Sequence, residues 1–347
     1  MNKALFQKVL PHLVAVVIFL LVAVIYCKPA LEGLVVNQHD ITQFKGMIQA
    51  SEQYRKTHGD YPLWTTSAFS GMPTFQIGGH GSNFLAGYTH LILTLHLPEP
   101  IGFFFLACIS FYFLCMVLRV SPWVGVLGAL AFAYCTYNPV IIVAGHNTKM
   151  WAIAYMPALL GSVILIFERR YWTGAALTLL FSACLVAMNH LQIAYYLFLV
   201  IGLMTVFFIV RAARQKDARH LLVSLAILAS TMAIGVLTNS ENLFSTYEFQ
   251  KRTIRGGPSE LTDTTGNSKP GQTGLDKDYA FDYSMDIPEP FVMMVPRIMG
   301  GSDLQEMQPE ESKAYEVLQT LPPQLQQQLG FSWYWGGIGA TSGPPYM

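Results

Sequence analysis

Residues 11–27 read Pro11-His12-Leu13-Val14-Ala15-Val16-Val17-Ile18-Phe19-Leu20-Leu21-Val22-Ala23-Val24-Ile25-Tyr26-Cys27. As a helix, such a run is long enough to cross a hydrocarbon core of roughly 30 Å. Working outward, further runs of this kind lie near 100–118, 121–144, 150–167, 171–188, 191–210 and 219–238. The sequence therefore predicts an all-α, polytopic integral membrane bundle of about seven transmembrane helices. Composition agrees: 52% of residues are hydrophobic, 12% are charged, and the mean hydropathy is +0.38, too apolar for an ordinary soluble domain.

Orientation follows from the short loops. Lys3 and Lys8 precede the first run. Arg119, Glu168-Arg169-Arg170 and the stretch Arg211-Ala212-Ala213-Arg214-Gln215-Lys216-Asp217-Ala218-Arg219 fall on the same side, whereas the short loops opposite hold only Lys149. The basic side is expected to be cytoplasmic, which puts the N-terminus inside and makes both 28–99 and the chain after about 239 exoplasmic. No small-x-small cleavage site follows the first run, and Tyr26 before Cys27 argues against lipoprotein processing. The expectation is an uncleaved signal-anchor.

Several function classes drop out. A net charge of zero and a pI near 7.1 leave no electrostatic footprint for nucleic acid. Cys27, Cys108, Cys115, Cys135 and Cys184 lie in or beside apolar runs with no CxxC pair, so they read as small hydrophobes rather than a disulfide or zinc framework. The chain has no GxxxxGK[ST], HExxH or GxSxG motif and no dinucleotide fingerprint after a strand.

The polar residues gather at the predicted outer rim. Asp40 stands in Asn37-Gln38-His39-Asp40-Ile41-Thr42-Gln43, just past the first run. An ionisable residue at a bundle mouth suggests function, and a solvated loop aspartate is the alternative. The long segment 28–99 is expected to carry two interfacial helices, near 42–56 and 83–96. Turns at Gly59-Asp60-Tyr61-Pro62-Leu63-Trp64 and Phe69-Ser70-Gly71-Met72-Pro73 separate them. His146-Asn147-Thr148-Lys149 joins the third and fourth runs, and its lysine suits either a phosphate or the headgroup layer. Asn189-His190 and Gln192, followed by Tyr195 and Tyr196, can hydrogen-bond sugar hydroxyls or form a polar corner with belt tyrosines.

In order and topological side, several stretches together resemble the C-type glycosyltransferase (GT-C) superfamily, and more closely the YfhO-like membrane proteins, Bacteroidetes-type. They are His39-Asp40-Ile41-Thr42-Gln43, Pro62-Leu63-Trp64 with Gly71-Met72-Pro73, Ala144-Gly145-His146-Asn147-Thr148-Lys149-Met150, Asn189-His190-Leu191-Gln192-Ile193-Ala194-Tyr195-Tyr196 and Arg255-Gly256-Gly257-Pro258-Ser259-Glu260-Leu261. The resemblance implies sugar transfer from a polyprenyl-phosphate donor to an exoplasmic acceptor, such as a cell-envelope glycan, lipid or protein, at a bacterial cytoplasmic membrane. It implies Asp40 as the catalytic base or acceptor-orienting residue, sometimes with a divalent metal ion. The expected donor-phosphate set is Lys149, His146, Asn147, Arg252 and Arg255. The acceptor or sugar-contacting set is His39, Gln43, Trp64, His190 and Gln192. Members of that family continue through further spans, so this chain is expected to be an N-terminal portion.

Beyond the bundle expected over 1–238, residues 239–347 form the predicted exoplasmic tail. Glu248, Lys251, Arg252 and Arg255 open it and either face phosphate or solvate a helix. Residues 256–278 read as an exposed loop. Asp276, Asp278, Asp282 and Asp286 lack the glycine and closing glutamate of an EF-hand loop. Residues 303–329 are polar and helix-permissive, broken by prolines. Phe331-Ser332-Trp333-Tyr334-Trp335-Gly336-Gly337 is an aromatic ending that suits either the bilayer surface or carbohydrate. The alternative function is a transporter or flippase of a lipid-linked or small polar solute. Nearly charge-free spans weigh against it, and the interruption at Asn138-Pro139 within the third run speaks for it.

Overall fold

The computed structural model describes residues 3–78, 83–253, 256, 287–295, 298–299, 316–317 and 319–323. Two compact units are present, Met1–Thr246 and Tyr247–Met347. Arg255, the four aspartates at 276, 278, 282 and 286, and the aromatic ending at 331–337 lie outside the described residues, as do nearly all of 256–278 and most of 303–329.

Each of the seven apolar runs is helical. In chain order the first unit carries α1 (Lys3–Tyr26), α2 (Lys28–Leu31), α3 (His39–His58), a hairpin of β1 (Trp64–Thr65) and β2 (Met72–Pro73), α4 (Phe84–Leu93), α5 (Ile101–Val117), α6 (Pro122–Ala133), α7 (Tyr137–Ala144), α8 (Asn147–Phe167), α9 (Tyr171–Ala187), α10 (Leu191–Gln215) and α11 (Ala218–Leu237). A last helix, α12 (Ser240–Gln250), follows. Among the described residues five helical segments are long and apolar enough to cross a membrane: Phe6–Tyr26, Pro122–Ala144, Asn147–Phe167, Leu191–Gln215 and Ala218–Leu237. The helices α5 and α9 are apolar and shorter.

The helix α8 is the axis of the bundle. It packs between α5 and α9, with α6 and α1 against α5, and α11 against α9. Met150, Tyr155, Leu159, Val163 and Ile166 of α8 meet Phe103, Phe104 and Leu106 of α5 in one apolar core. The peripheral helices reverse the pattern of a soluble protein. Large apolar side chains such as Leu203, Phe207 and Leu222 face outward, and contiguous outward apolar surface on several helices needs a lipid solvent. This is a multi-pass, helical, membrane-type bundle.

Three local readings of the sequence are corrected. First, the helix expected over 42–56 runs from His39 to His58 and passes through Gly46, so Asp40 occupies its first turn, not a loop. A carboxylate there faces the positive end of the helix dipole. Gly59 ends α3 with φ of 88°, and its N–H donates to the Arg55 carbonyl at 2.8 Å, a left-handed cap that favours glycine. Second, the helix expected over 83–96 is the shorter Phe84–Leu93, capped by Asn83, whose side-chain oxygen accepts from the Ala86 N–H at 3.1 Å. Third, the interruption within 121–144 falls at 134–136, before Asn138-Pro139. Pro139 sits in the first turn of α7, where its missing N–H is tolerated. Asn138 is buried and donates to the carbonyls of Phe132 at 2.9 Å and Ala133 at 3.0 Å.

The segment between α1 and α5 is pinned to one end of the bundle. Asn83 donates to Thr238 Oγ1 and Asn239 Oδ1, both at 3.0 Å, and Gln76 donates to Thr246 Oγ1 at 3.0 Å. The His90 ring is 3.0 Å from the Tyr155 hydroxyl of α8.

Candidate functional site

The site is assembled where α3 begins and α7 turns into α8. Gly145 makes that turn with φ of 98°. A Cβ there would lie 3.0 Å from Asp40 Cβ and 3.2 Å from the Ile41 nitrogen, so the missing side chain lets the corner seat against the first turn of α3. The next residue, His146, places Nε2 2.9 Å from Asp40 Oδ2. These side chains are 46% and 49% exposed. A pair this open adds little to stability but is reachable by a ligand.

Asn147 holds a second carboxylate. Its Nδ2 donates to Glu99 Oε2 at 2.8 Å, and the Trp151 indole N–H donates to Glu99 Oε1 at 3.4 Å. Gln38 fixes the orientation of that amide: its Nε2 donates to Asn147 Oδ1 at 2.8 Å and to the Ile142 carbonyl at 2.5 Å. With its oxygen occupied, Asn147 must turn its N–H groups to Glu99. Glu99 retains exposed surface. Even so, enough protein surrounds its carboxyl group that desolvation, the largest influence, raises its pKa, and the Trp151 hydrogen bond offsets part of the rise. Adjacent residues at the start of α8 thus each hold a carboxylate, His146 that of Asp40 and Asn147 that of Glu99.

Positive charge converges on the same corner. The Lys149 ammonium lies 5.1 Å from the Tyr137 ring centroid, a cation–π distance. His190 has a lowered pKa, first through desolvation and then through the charges of Lys149 and His146. Beside Glu99 opens a cavity of about 380 Å³ whose wall includes Val36, Asn37, Gln38, Ile41 and Asn147.

Of the residues the sequence singled out, the structure thus brings together Asp40, His146, Asn147, Lys149 and His190. For others the described contacts are local. His39 and Gln43 bond each other at 2.7 Å along α3. Gln192 donates to the Tyr196 hydroxyl at 2.7 Å. Trp64 pairs with Pro73 in the hairpin, with its indole against Gly71. Arg252 belongs to the second unit. Glu99 and Gln38 were not singled out. The signal for Glu99 was available in Pro98-Glu99-Pro100, a carboxylate between two prolines at the mouth of an apolar run.

No known protein family, curated protein or solved structure matches this chain. Among the described residues no three His, Cys, Asp or Glu side chains group to hold a metal ion. Asp40 has one such neighbour, His146, and Glu99 is held by N–H donors, which do not bind a cation. Among the described residues neither carboxylate has the protein ligands of a dedicated divalent-ion cage.

Proposed function

We propose that the protein is a membrane glycosyltransferase that moves a sugar from a polyprenyl-phosphate donor to an acceptor hydroxyl at the outer face of a bacterial cytoplasmic membrane. The observation that carries this reading is the Asp40–His146 pair, 2.9 Å apart and half exposed, at a corner that also gathers Lys149 and His190. The resemblance of the sequence to YfhO-like GT-C proteins supports the same assignment. In this reading all seven apolar helices cross the bilayer. The N-terminus and the arginine-rich turns are cytoplasmic, and the 28–99 segment lies outside with its helices at the interface.

The acceptor oxygen attacks the anomeric carbon as the bond from that carbon to the phosphate oxygen breaks. The lipid phosphate departs with the electron pair, and the acceptor proton passes to Asp40. His146 Nε2–H donates to Asp40 and holds the carboxylate in place. In an equivalent arrangement the pair presents the other ring nitrogen of His146 as the base, oriented as a carboxylate orients a histidine in hydrolase triads. Lys149 neutralises the departing phosphate as a point charge.

Membranes carrying the protein, supplied with radiolabelled polyprenyl-phosphate sugars, should transfer label to an endogenous acceptor. Asp40→Asn keeps the shape and removes the base, so transfer should fall by about a hundred- to ten-thousand-fold. Unchanged transfer by membrane-inserted Asp40→Asn protein would refute the assignment.

One observation favours the alternative of a transporter or flippase, the break at 134–136 inside an apolar segment. There, however, Asn138 answers the Phe132 and Ala133 carbonyls. Two of the carbonyls beside the break are thereby satisfied within the protein, which weighs against their lining a path.

A further inference from the structure

Two carboxylates reach the start of α8, and the mechanism above uses only one. Glu99 differs from Asp40 in its company. Its partners are the neutral donors Asn147 and Trp151, and it borders a cavity of about 380 Å³, a size within the range of small-molecule sites. The walls of that cavity are of two kinds. Val36, Ile41 and Pro100 are apolar members of the lining, and Asn37, Thr42, Lys45 and Glu99 are polar ones. A lining that mixes apolar side chains with hydrogen-bonding groups suits a sugar ring, which carries both C–H and hydroxyl surface.

The chemistry of Glu99 narrows the ligand further. An ionised carboxylate has about four acceptor sites, and here one strong and one long hydrogen bond occupy two of them. The remaining lone pairs can accept from a ligand. A phosphate offers none when fully ionised and is repelled by the carboxylate. A free cation is disfavoured by Lys45 in the same wall. A neutral polyol meets both conditions: its hydroxyls donate to Glu99 and accept from Lys45 and Asn37.

We propose that this cavity is a saccharide-binding subsite in which the Glu99 carboxylate accepts hydrogen bonds from sugar hydroxyls, held in register by the Gln38–Asn147 amide relay. The assignment of that saccharide as the acceptor rests on the transferase reading; the binding itself does not. If the acceptor sugar sits beside Glu99, the adjacent His146–Asn147 pair couples acceptor binding on one side to the Asp40 base on the other.

The test uses the intact protein in detergent with methyl glycosides of glucose, galactose, mannose and N-acetylglucosamine, read by saturation-transfer NMR. At least one glycoside should bind the wild type. Glu99→Gln should weaken that binding by about tenfold to a hundredfold, the effect of losing a hydrogen bond to a charged group. Val36→Trp, in the loop that forms the cavity wall, should block it sterically. If Glu99→Gln does not fold, Val36→Trp decides. No binding by any of the four glycosides, or binding unaffected by the variants, overturns the subsite. Saccharide binding lost in the variants but no sugar transfer by the wild type would leave the subsite standing and remove the transferase. Transfer with an unchanged acceptor KM in Val36→Trp would do the reverse.

Discussion

At Gly145 the backbone turns with φ of 98° within van der Waals reach of Asp40. Gly145→Ala would force a side chain into the left-handed region and against Asp40 Cβ. A destabilisation of about 1–2 kcal/mol is expected, measured as a lower thermal midpoint in detergent, with a loss of transfer that follows from displacing Asp40 relative to His146. Glu99 gives a second outcome at this scale. Its folded pKa is raised by desolvation, so between the ordinary glutamate value and the raised one the folded state binds more protons than the unfolded state. Stability from this group is present below the ordinary value and is lost as pH rises through the folded value. Glu99→Gln should flatten the decline of thermal midpoint with pH across that window, and an unchanged slope would contradict the shift. Asp40 and His146 could be singled out in the sequence because each is a polar residue at the end of an apolar run. Their pairing could not, since they lie 106 positions apart and the Gly145 turn seats them together only in the fold. Glu99 escaped notice because its role depends on Asn147 and Gln38, whose amides reveal nothing until their neighbours are known.

The helix α3 shows how local signals and tertiary context divide the work. The helix runs through Gly46, since a single interior glycine costs only about 1 kcal/mol against a 20-residue helix with a capping Gly59. A Cβ at Gly46 would meet nothing within 4 Å. Gly46→Ala should therefore stabilise the protein by about 0.4–1 kcal/mol and leave sugar transfer unchanged. A lower thermal midpoint would show that α3 is not helical at this position. The seven apolar runs were legible as helical because long apolar segments satisfy their backbone internally as helices. Their boundaries were less so. The break at 134–136 is fixed by which carbonyls Asn138 reaches, a three-dimensional choice that an Asn-Pro dipeptide only hints at.

Across the first unit, α8 relates the two ends of the bundle. Its start carries the Asp40–His146 and Glu99–Asn147 contacts. Its 21 residues rise about 30 Å before Glu168 pairs with Arg119 at 2.9 Å. Arg169 pairs with Asp217 at that same far end, where a small cavity is also lined by Arg211 and His220. Lysine and arginine concentrate in the short loops on the inner face of a membrane protein, so the arginine-bearing end should face the cytoplasm and the Asp40 end the exterior. Single cysteines placed at Lys45 and Tyr88, both exposed, and at Trp172, which is 92% exposed, test this in a Cys135→Ser background, since the other four native cysteines are buried. A membrane-impermeant maleimide added to intact cells should label positions 45 and 88 at once and position 172 only after permeabilisation. The reverse pattern would put the Asp40 corner inside. It would remove the exoplasmic acceptor, leaving the Asp40–His146 pair to be explained by chemistry on a cytoplasmic substrate.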